Sequence, residues 1–236
     1  MGSPESSTSG PGSWYPGERV ARLHASHSYG FVLLLICASF LFTATGPDDA
    51  TWGRSVLVLI QSATLVVALW TSGHGRAAVL PSILLAAVGI SVAVVQLVSG
   101  GDTLTGAAGL LNALLLVAVG VVIGVGVFDQ RMVNAQSILG AVCVYLLIGM
   151  LFTFVYGAAA ALGSGDFFAQ ETDGTPALRL YFSYVTLATL GYGDYTAAGD
   201  LGHTLGILEA LLGQLYLVTV VSVIVGRLHR DRPEQS

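Results

Sequence analysis

Charged residues are scarce in this chain, and lysine is absent. Only 10% of the 236 residues are Asp, Glu, Lys or Arg, whereas a soluble domain carries about 25%, and 54% are hydrophobic. All nine basic residues are arginines, and they form no basic patch that would bind nucleic acid. The composition excludes an ordinary soluble domain and indicates an integral membrane protein with no nucleic-acid partner.

Residues that bind metals or form disulfides are equally few. The two cysteines, Cys37 and Cys143, lie inside apolar runs, where small buried hydrophobic side chains are expected in preference to a disulfide. The five histidines are scattered over predicted helix ends and loops, without the spacing of a metal site. We therefore predict no cofactor and no enzymatic activity.

Long apolar runs, by contrast, fill most of the chain. Six of them approach the ~20 residues that a transmembrane helix needs. They are residues 28–45, 55–72, 77–98, 104–128, 138–162 and 202–228. Residues 1–27 are rich in Ser, Gly and Pro and are typical of a flexible tail, not of a cleaved signal peptide. Only the connection between the last two runs is long, which marks it as the candidate functional element.

The arginines predict the orientation in the membrane. With a cytoplasmic amino terminus, seven of the nine lie on the cytoplasmic side, where basic residues are enriched. The same orientation places the acidic residues of the long connection outside, where they would attract cations. The sequence thus predicts a multi-pass protein of the cell membrane with both termini in the cytoplasm.

The long connection contains the stretch TLATLGYGDYT at residues 186–196. Residues 178–189 can form a helix that is too short to cross a bilayer, and residues 190–193 then continue as extended backbone. Non-helical backbone at membrane depth is tolerated only where it is buried in protein or lines a water-filled path. Gly191 and Gly193 allow conformations that turn successive carbonyls toward one axis. The stretch predicts a carbonyl-lined ion path, with a glycine turn in an extracellular loop as the alternative.

Residues 189–194, TLGYGD, resemble the selectivity filter of the potassium-channel pore family. The resemblance implies that potassium ions bind along this segment, as the transported ligand, at Thr189, Leu190, Gly191, Tyr192 and Gly193. Leu190 departs from the family, in which valine is commonest at this position. Because that side chain points away from the ion path in the family, the change should affect rigidity more than ion coordination.

The resemblance also implies which residues support the filter. The aromatic pair Tyr181 and Phe182 stands where the family braces the filter from outside, and Asp194 follows the filter directly. Two weaker departures flank the motif: Ala188, where threonine is frequent, and Ala197, where proline is frequent. In spite of the change at Leu190, we expect selectivity for potassium to be retained.

The last apolar run, residues 202–228, corresponds to the inner helix of these channels. Gly213 stands where the family commonly has a glycine that lets this helix bend during gating, and close packing against a neighbour is the alternative. Steps of three and four residues place a set of side chains on one helix face that would line the inner pore. The set is Gln214, Leu217, Val221 and Val225.

Glu209 is an acidic residue well inside the last apolar run, and an ionisable group within a membrane is a functional hypothesis by default. We predict that Glu209 supports the filter through a hydrogen bond to the short helix, near Thr186. The alternatives are a carboxylate that attracts ions from the wall of a cavity, and an ion pair with Arg179.

The first four apolar runs match voltage-sensing modules only in number. The fourth, residues 104–128, contains no arginine or lysine, and Asn112 is its one strongly polar residue. A voltage sensor must move charge through the membrane field. We therefore expect opening to depend little on voltage.

The whole chain is predicted to be an all-α integral membrane channel subunit, with six transmembrane helices and one reentrant pore loop. Its predicted parts are a tail (1–27), a four-helix domain (28–128), a linker (129–137), a pore domain (138–228) and a second tail (229–236). The pore domain comprises an outer helix (138–162), a pore helix (178–189), the filter (189–194) and the inner helix (202–228). One loop supplies one strand of carbonyls and a closed ring needs four, so we expect a homotetramer in membrane lipids that passes potassium passively.

Two other functions stay open at this point, namely a weakly selective cation channel and a non-conducting regulatory membrane protein of the same fold. A transporter is disfavoured, because the sequence shows no broken, Pro/Gly-interrupted helices in paired halves. The sequence does not identify the gating stimulus, nor does it show whether the first four helices pack on their own pore domain or on that of a neighbour.

Overall fold

The computed structural model describes residues 28–46, 51–72, 87, 91, 102–128 and 135–230. Within these residues the regular elements are six α-helices. They are α1 (Ser28–Thr45), α2 (Thr51–Ser72), α3 (Asp102–Phe128), α4 (Ala135–Leu162), α5 (Pro176–Leu187) and α6 (Gly199–Arg230). Two isolated β-bridges at Phe168 join the loops around α5. The all-α class predicted from the sequence is confirmed for the described residues.

Several predicted segments lie outside the described residues. They are the tail 1–27, the helix 77–98 apart from residues 87 and 91, residues 129–134 of the linker, and residues 231–236 of the second tail. Among the described helices, α4 begins three residues before the predicted 138, and α6 runs from 199 to 230 where 202–228 was predicted. The predicted helices were too short because the prediction followed the apolar runs, whereas the helices continue into flanking polar residues such as Gln136 and Asp200.

Two of the described helices are long and apolar enough to cross a membrane, by length and composition. They are Gln136–Leu162, within α4, and Gly199–Val223, within α6. The other three long helices contain shorter apolar stretches at Tyr29–Thr45, Val56–Leu69 and Leu110–Val125. The described chain therefore contains an apolar pair of helices on either side of the loop that carries α5.

A continuous apolar core joins the first helices to the pore-loop region. Its fully buried members come from α1, α2, α3 and α4 and include Ile36, Leu65, Leu115 and Met150. The core reaches α5 through Tyr184, whose ring meets Phe40 of α1 edge to face at a centroid distance of 5.2 Å. The Tyr184 hydroxyl donates a hydrogen bond to the Leu146 carbonyl of α4 (2.7 Å). Within the described residues, α1 packs on α4 and α5 of the same chain, and α3 packs on α4.

Both cysteines are free. Cys143 is buried as expected, but Cys37 is exposed in the single chain. This corrects the expectation that both would be buried. Cys37 lies on the same face of α1 as the exposed Phe31, Leu34 and Leu41, so an apolar run alone does not show which face of a helix is covered.

Candidate pore site

The short helix α5 begins with a polar cap. Thr175 is the N-cap, and its hydroxyl accepts a hydrogen bond from the Leu178 N–H (3.2 Å), while Pro176 occupies the first turn. Threonine satisfies an unpaired N–H at this position, and proline has no N–H that would need a partner. The helix therefore begins two residues before the predicted Leu178, because the prediction overlooked the Thr-Pro cap.

The carboxyl end of α5 is a Schellman motif, which turns the chain out of the helix. The Thr189 N–H donates to the Thr186 carbonyl (2.9 Å), and the Leu190 N–H donates to the Val185 carbonyl (2.9 Å). Thr189 has a φ of 56°, in the left-handed region where this motif usually has glycine. Such a conformation costs on the order of 1–3 kcal/mol and is found mainly at functional sites. The helix ends at Leu187, before the predicted 189, and the strain falls on the first residue of the predicted filter.

The sign of φ alternates along the predicted filter. Thr189, Gly191 and Gly193 have φ values of 56°, 55° and 78°, whereas Leu190 and Tyr192 do not have a positive φ. In an ordinary strand φ is negative throughout and successive residues face opposite sides. Reversing every second residue can turn successive carbonyls to the same side. The backbone from Thr189 to Gly193 is therefore able to present a row of oxygens to one ligand.

The predicted filter lies on the surface of the single chain. Leu190 is 58% exposed and Tyr192 is 67% exposed. The predicted packing of the Leu190 side chain behind the filter is therefore not provided by its own chain. It stays a prediction that requires a neighbouring chain.

Tyr181 contacts the outer end of the predicted filter in two ways. Its hydroxyl donates a hydrogen bond to Asp194 Oδ2 (2.8 Å), and its ring stacks on Tyr192 with centroids 6.4 Å apart and planes inclined by 8°. The hydrogen bond to the Asp194 carboxylate raises the pKa of Tyr181 to about 12. The Tyr181 hydroxyl therefore remains a donor at neutral pH.

Phe182, the second member of the predicted aromatic pair, contacts a different set of aromatic rings. Its ring meets Tyr156 edge to face at 5.2 Å and Phe168 at 5.3 Å. Phe168 belongs to the loop between α4 and α5. This loop also contacts the segment that follows the predicted filter, because the Ala198 N–H donates a hydrogen bond to the Phe167 carbonyl (2.7 Å). Tyr181 thus contacts the predicted filter directly, whereas Phe182 contacts the loop that precedes α5.

Glu209 is fully buried where α4, α5 and α6 meet. Its two carboxyl oxygens form hydrogen bonds with the hydroxyls of Tyr156 on α4 and Ser183 on α5. The predicted partner, Thr186, was wrong: Ser183 takes this place because it lies on the buried face of α5, whereas Thr186 is only partly buried. Burial within one chain also argues against a carboxylate that faces an ion cavity.

Gly213 lies one turn further along α6 and touches the end of α5. A Cβ atom at this position would be 2.6 Å from Leu187 Cδ1 and 2.7 Å from the Leu187 carbonyl oxygen. Glu209 contacts Ser183, and Gly213 contacts Leu187. The two contacts are four residues apart on both helices. The packing alternative for Gly213 thus has a direct structural basis, and its role as a gating hinge stays a prediction.

The candidate pore-lining residues lie on a helix that is mostly uncovered in the single chain. Gln214, Leu217 and Val221 are exposed, whereas the side chain of Val225 lies outside the described part of α6. In the apolar window of α6 11% of the residues are buried, against 44% in that of α4. A pore-lining role for the exposed side chains stays a prediction.

Sequence reasoning missed three residues of this site, namely Tyr156, Ser183 and Leu187. Tyr156 lies 53 residues and Ser183 lies 26 residues from Glu209 along the chain. The only signal for Tyr156 and Ser183 is a hydroxyl within an apolar helix, which does not identify the acid that the hydroxyl will meet, and Leu187 has no signal that distinguishes it from other apolar residues.

Comparison with known proteins identifies the pore segment. Residues 140–230 match the family described as Ion channel, and this segment includes most of α4 together with α5 and α6. The inward rectifier potassium channel Kirbac3.1 of Paramagnetospirillum magnetotacticum is 37% identical to this chain over 86 residues. The matched part is 36% of this chain, and it spans only 28% of the length of that relative. No solved structure matches the chain.

These similarities point to a channel and not to an enzyme. They fall on the segment in which the strained Thr189 follows the end of α5 and in which Glu209 contacts two other helices. Residues 140–230 are therefore similar to the ion-channel family, and part of the chain is similar to a potassium channel.

Proposed function

We propose that this chain is the subunit of a potassium-selective channel, in which four copies surround one axis and pass K⁺ down its gradient. The observation that carries the proposal is the alternating sign of φ at Thr189, Gly191 and Gly193, because it allows successive carbonyls to face one side. Four such rows around an axis would replace the hydration shell of a K⁺ ion. One chain supplies one row, so the proposed working unit is a homotetramer.

The electrostatics around this row favour a cation. α5 ends at Leu187, directly before the row, and the carboxyl end of a helix carries a partial negative charge. Asp194 adds an exposed carboxylate at the other end. Both features support K⁺ as the ligand and disfavour an anion.

The proposal includes six transmembrane helices in each subunit, in the cell membrane, with both termini in the cytoplasm. The exposed apolar face of α6 supports it, because such a face needs a cover of lipid or of neighbouring copies. In the proposed tetramer, neighbouring chains would cover Leu190, while Gln214, Leu217 and Val221 would line the inner pore. The absence of charge within the first four predicted helices supports weak voltage dependence.

Ion flux from the purified protein in liposomes tests the proposal. We expect bi-ionic reversal potentials to show a strong preference for K⁺ over Na⁺. Gly191→Ala should abolish flux, because a φ of 55° strains any residue that has a Cβ, although that Cβ would meet no atom within 4 Å. Gly165→Ala is the matched control, since its Cβ also meets nothing within 4 Å but its φ is not positive, and it should leave flux unchanged.

The alternatives predict different results. Near-equal permeability of K⁺ and Na⁺ would favour the weakly selective cation channel. A stable tetramer that carries neither ion would favour a non-conducting regulatory protein.

A further inference from the structure

The Ser183 hydroxyl lies within hydrogen-bond distance of two oxygen atoms but has one hydrogen to donate. Ser183 Oγ lies 2.7 Å from the Gly149 carbonyl oxygen of α4, and it is also bonded to Glu209 Oε1. A hydroxyl has one hydrogen, and a carbonyl oxygen can only accept. If Glu209 were ionised, only one of these two contacts would contain a hydrogen. The other contact would bring two oxygen atoms together without one.

A proton on Glu209 resolves the conflict. A protonated Oε1 donates to Ser183 Oγ, and Ser183 then donates to the Gly149 carbonyl, so each contact contains one hydrogen. The other carboxyl oxygen, Oε2, accepts from the Tyr156 hydroxyl. We propose that Glu209 is a neutral carboxylic acid in the folded channel and that it holds α4, α5 and α6 together by donating to Ser183 and accepting from Tyr156.

The groups around Glu209 fit a neutral acid. Among the residues that the structure describes, the titratable groups that face it are tyrosines, namely Tyr145 and Tyr156 from α4 and Tyr184 from α5. The guanidinium of Arg179, one turn before Ser183, donates instead to the carbonyls of Asp173 (3.0 Å) and Gly174 (2.8 Å). An ionised carboxylate that is buried without a paired cation is strongly destabilising, whereas a neutral acid with satisfied hydrogen bonds is not.

The inference rests on the proposed function in one respect, because it makes Glu209 a positioning residue for the helix that precedes the filter. A neutral acid adds no fixed negative charge behind the filter. Its contribution is therefore geometric: it fixes α5 between the two apolar helices, one turn before the end of α5 at Leu187.

Infrared spectroscopy of the purified full chain tests the proposal without any measurement of ion flux. We expect a C=O stretching band of a protonated carboxylic acid at neutral pH, which shifts in D2O and disappears in Glu209→Gln. Asp194→Asn is the control and should leave the band unchanged, because Asp194 is exposed and bonded to Tyr181. A wild-type spectrum without this band, or a band that persists in Glu209→Gln, would overturn the proposal even if the channel conducts.

A second set of variants guards against a failure of Glu209→Gln to fold. Ser183→Ala removes the acceptor of the acid proton, so the band should move to the higher frequency of a weakly bonded acid, and an unchanged frequency would contradict the assignment. The glutamine amide can donate to Ser183 and accept from Tyr156, so Glu209→Gln should assemble and melt like the wild type. Glu209→Leu, which can do neither, should lose thermal stability or tetramer yield. Equal losses in the two variants would also contradict a neutral acid.

Discussion

Replacing Gly213 with alanine tests whether this glycine is needed for packing or for bending. The new Cβ would lie 2.6 Å from Leu187 Cδ1, whereas non-bonded carbons pack best at about 3.5–4.0 Å. The helices must therefore separate by roughly 1 Å, or Leu187 must move, at that contact. The second obstacle, the Leu187 carbonyl oxygen at 2.7 Å, belongs to the backbone of α5 and cannot turn away as a side chain can.

The expected magnitude follows from two opposing effects. Overpacking of this kind costs about 1–3 kcal/mol, while alanine is better than glycine in a helix by about 1 kcal/mol. Gly206→Ala on the same helix is the matched control, because a Cβ there meets no atom within 4 Å of its own chain. The control isolates the gain in helix propensity. The two variants should thus differ in stability by about 1–3 kcal/mol, with Gly213→Ala the less stable.

Thermal unfolding of the purified protein, read together with K⁺ flux, is the assay. The packing role predicts a lower midpoint for Gly213→Ala than for Gly206→Ala, with flux lost as the protein unfolds. A hinge role predicts equal midpoints and reduced channel opening in Gly213→Ala alone. If the two variants match each other in both midpoint and flux, the close contact with Leu187 has no energetic importance and the reasoning is wrong.

Two further predictions concern the outer end of the filter and the first four helices. Tyr181→Phe keeps the ring that stacks on Tyr192 but removes the hydrogen bond to Asp194. We therefore expect the variant to lose K⁺ flux faster than the wild type at low external K⁺. Equal retention of flux in the two proteins would show that the hydrogen bond is dispensable. Opening should vary only shallowly with voltage. Each elementary charge that crosses the membrane field contributes ~2.3 kcal/mol per 100 mV, and the first four predicted helices carry no charged residue between their ends. An effective gating charge of several elementary units, measured on the reconstituted protein, would contradict this.

Local features of the sequence predicted the described helices well, apart from their ends, and the details of the site only in part. Apolar runs locate membrane helices because a bilayer requires a minimum apolar length, but they do not locate the ends, which depend on caps such as Thr175 and Pro176. Positive φ at Gly191 and Gly193 is favoured by residue type. Positive φ at Thr189 is not, because the helix cap imposes it.

Contacts between distant parts of the chain could not be predicted from spacing. The position of Glu209 within an apolar run identified it as unusual, yet its two partners depend on how three helices rotate against one another. A pattern that repeats along one helix contains no information on that rotation. The exposure of Leu190 is a related case, since only a neighbouring chain can decide what covers it.

The matched contacts between α5 and α6 have a consequence for engineering and for divergence of this pore. Ser183 meets Glu209, and Leu187 meets Gly213, so the two helices touch at two points with the same four-residue spacing. A chimera that imports α5 from another channel without its inner helix would place an unmatched side chain against the acid or against the glycine. The two helices are therefore a single unit of exchange: we expect a substitution that breaks the contact between 183 and 209, or between 187 and 213, to be tolerated better when its partner changes with it.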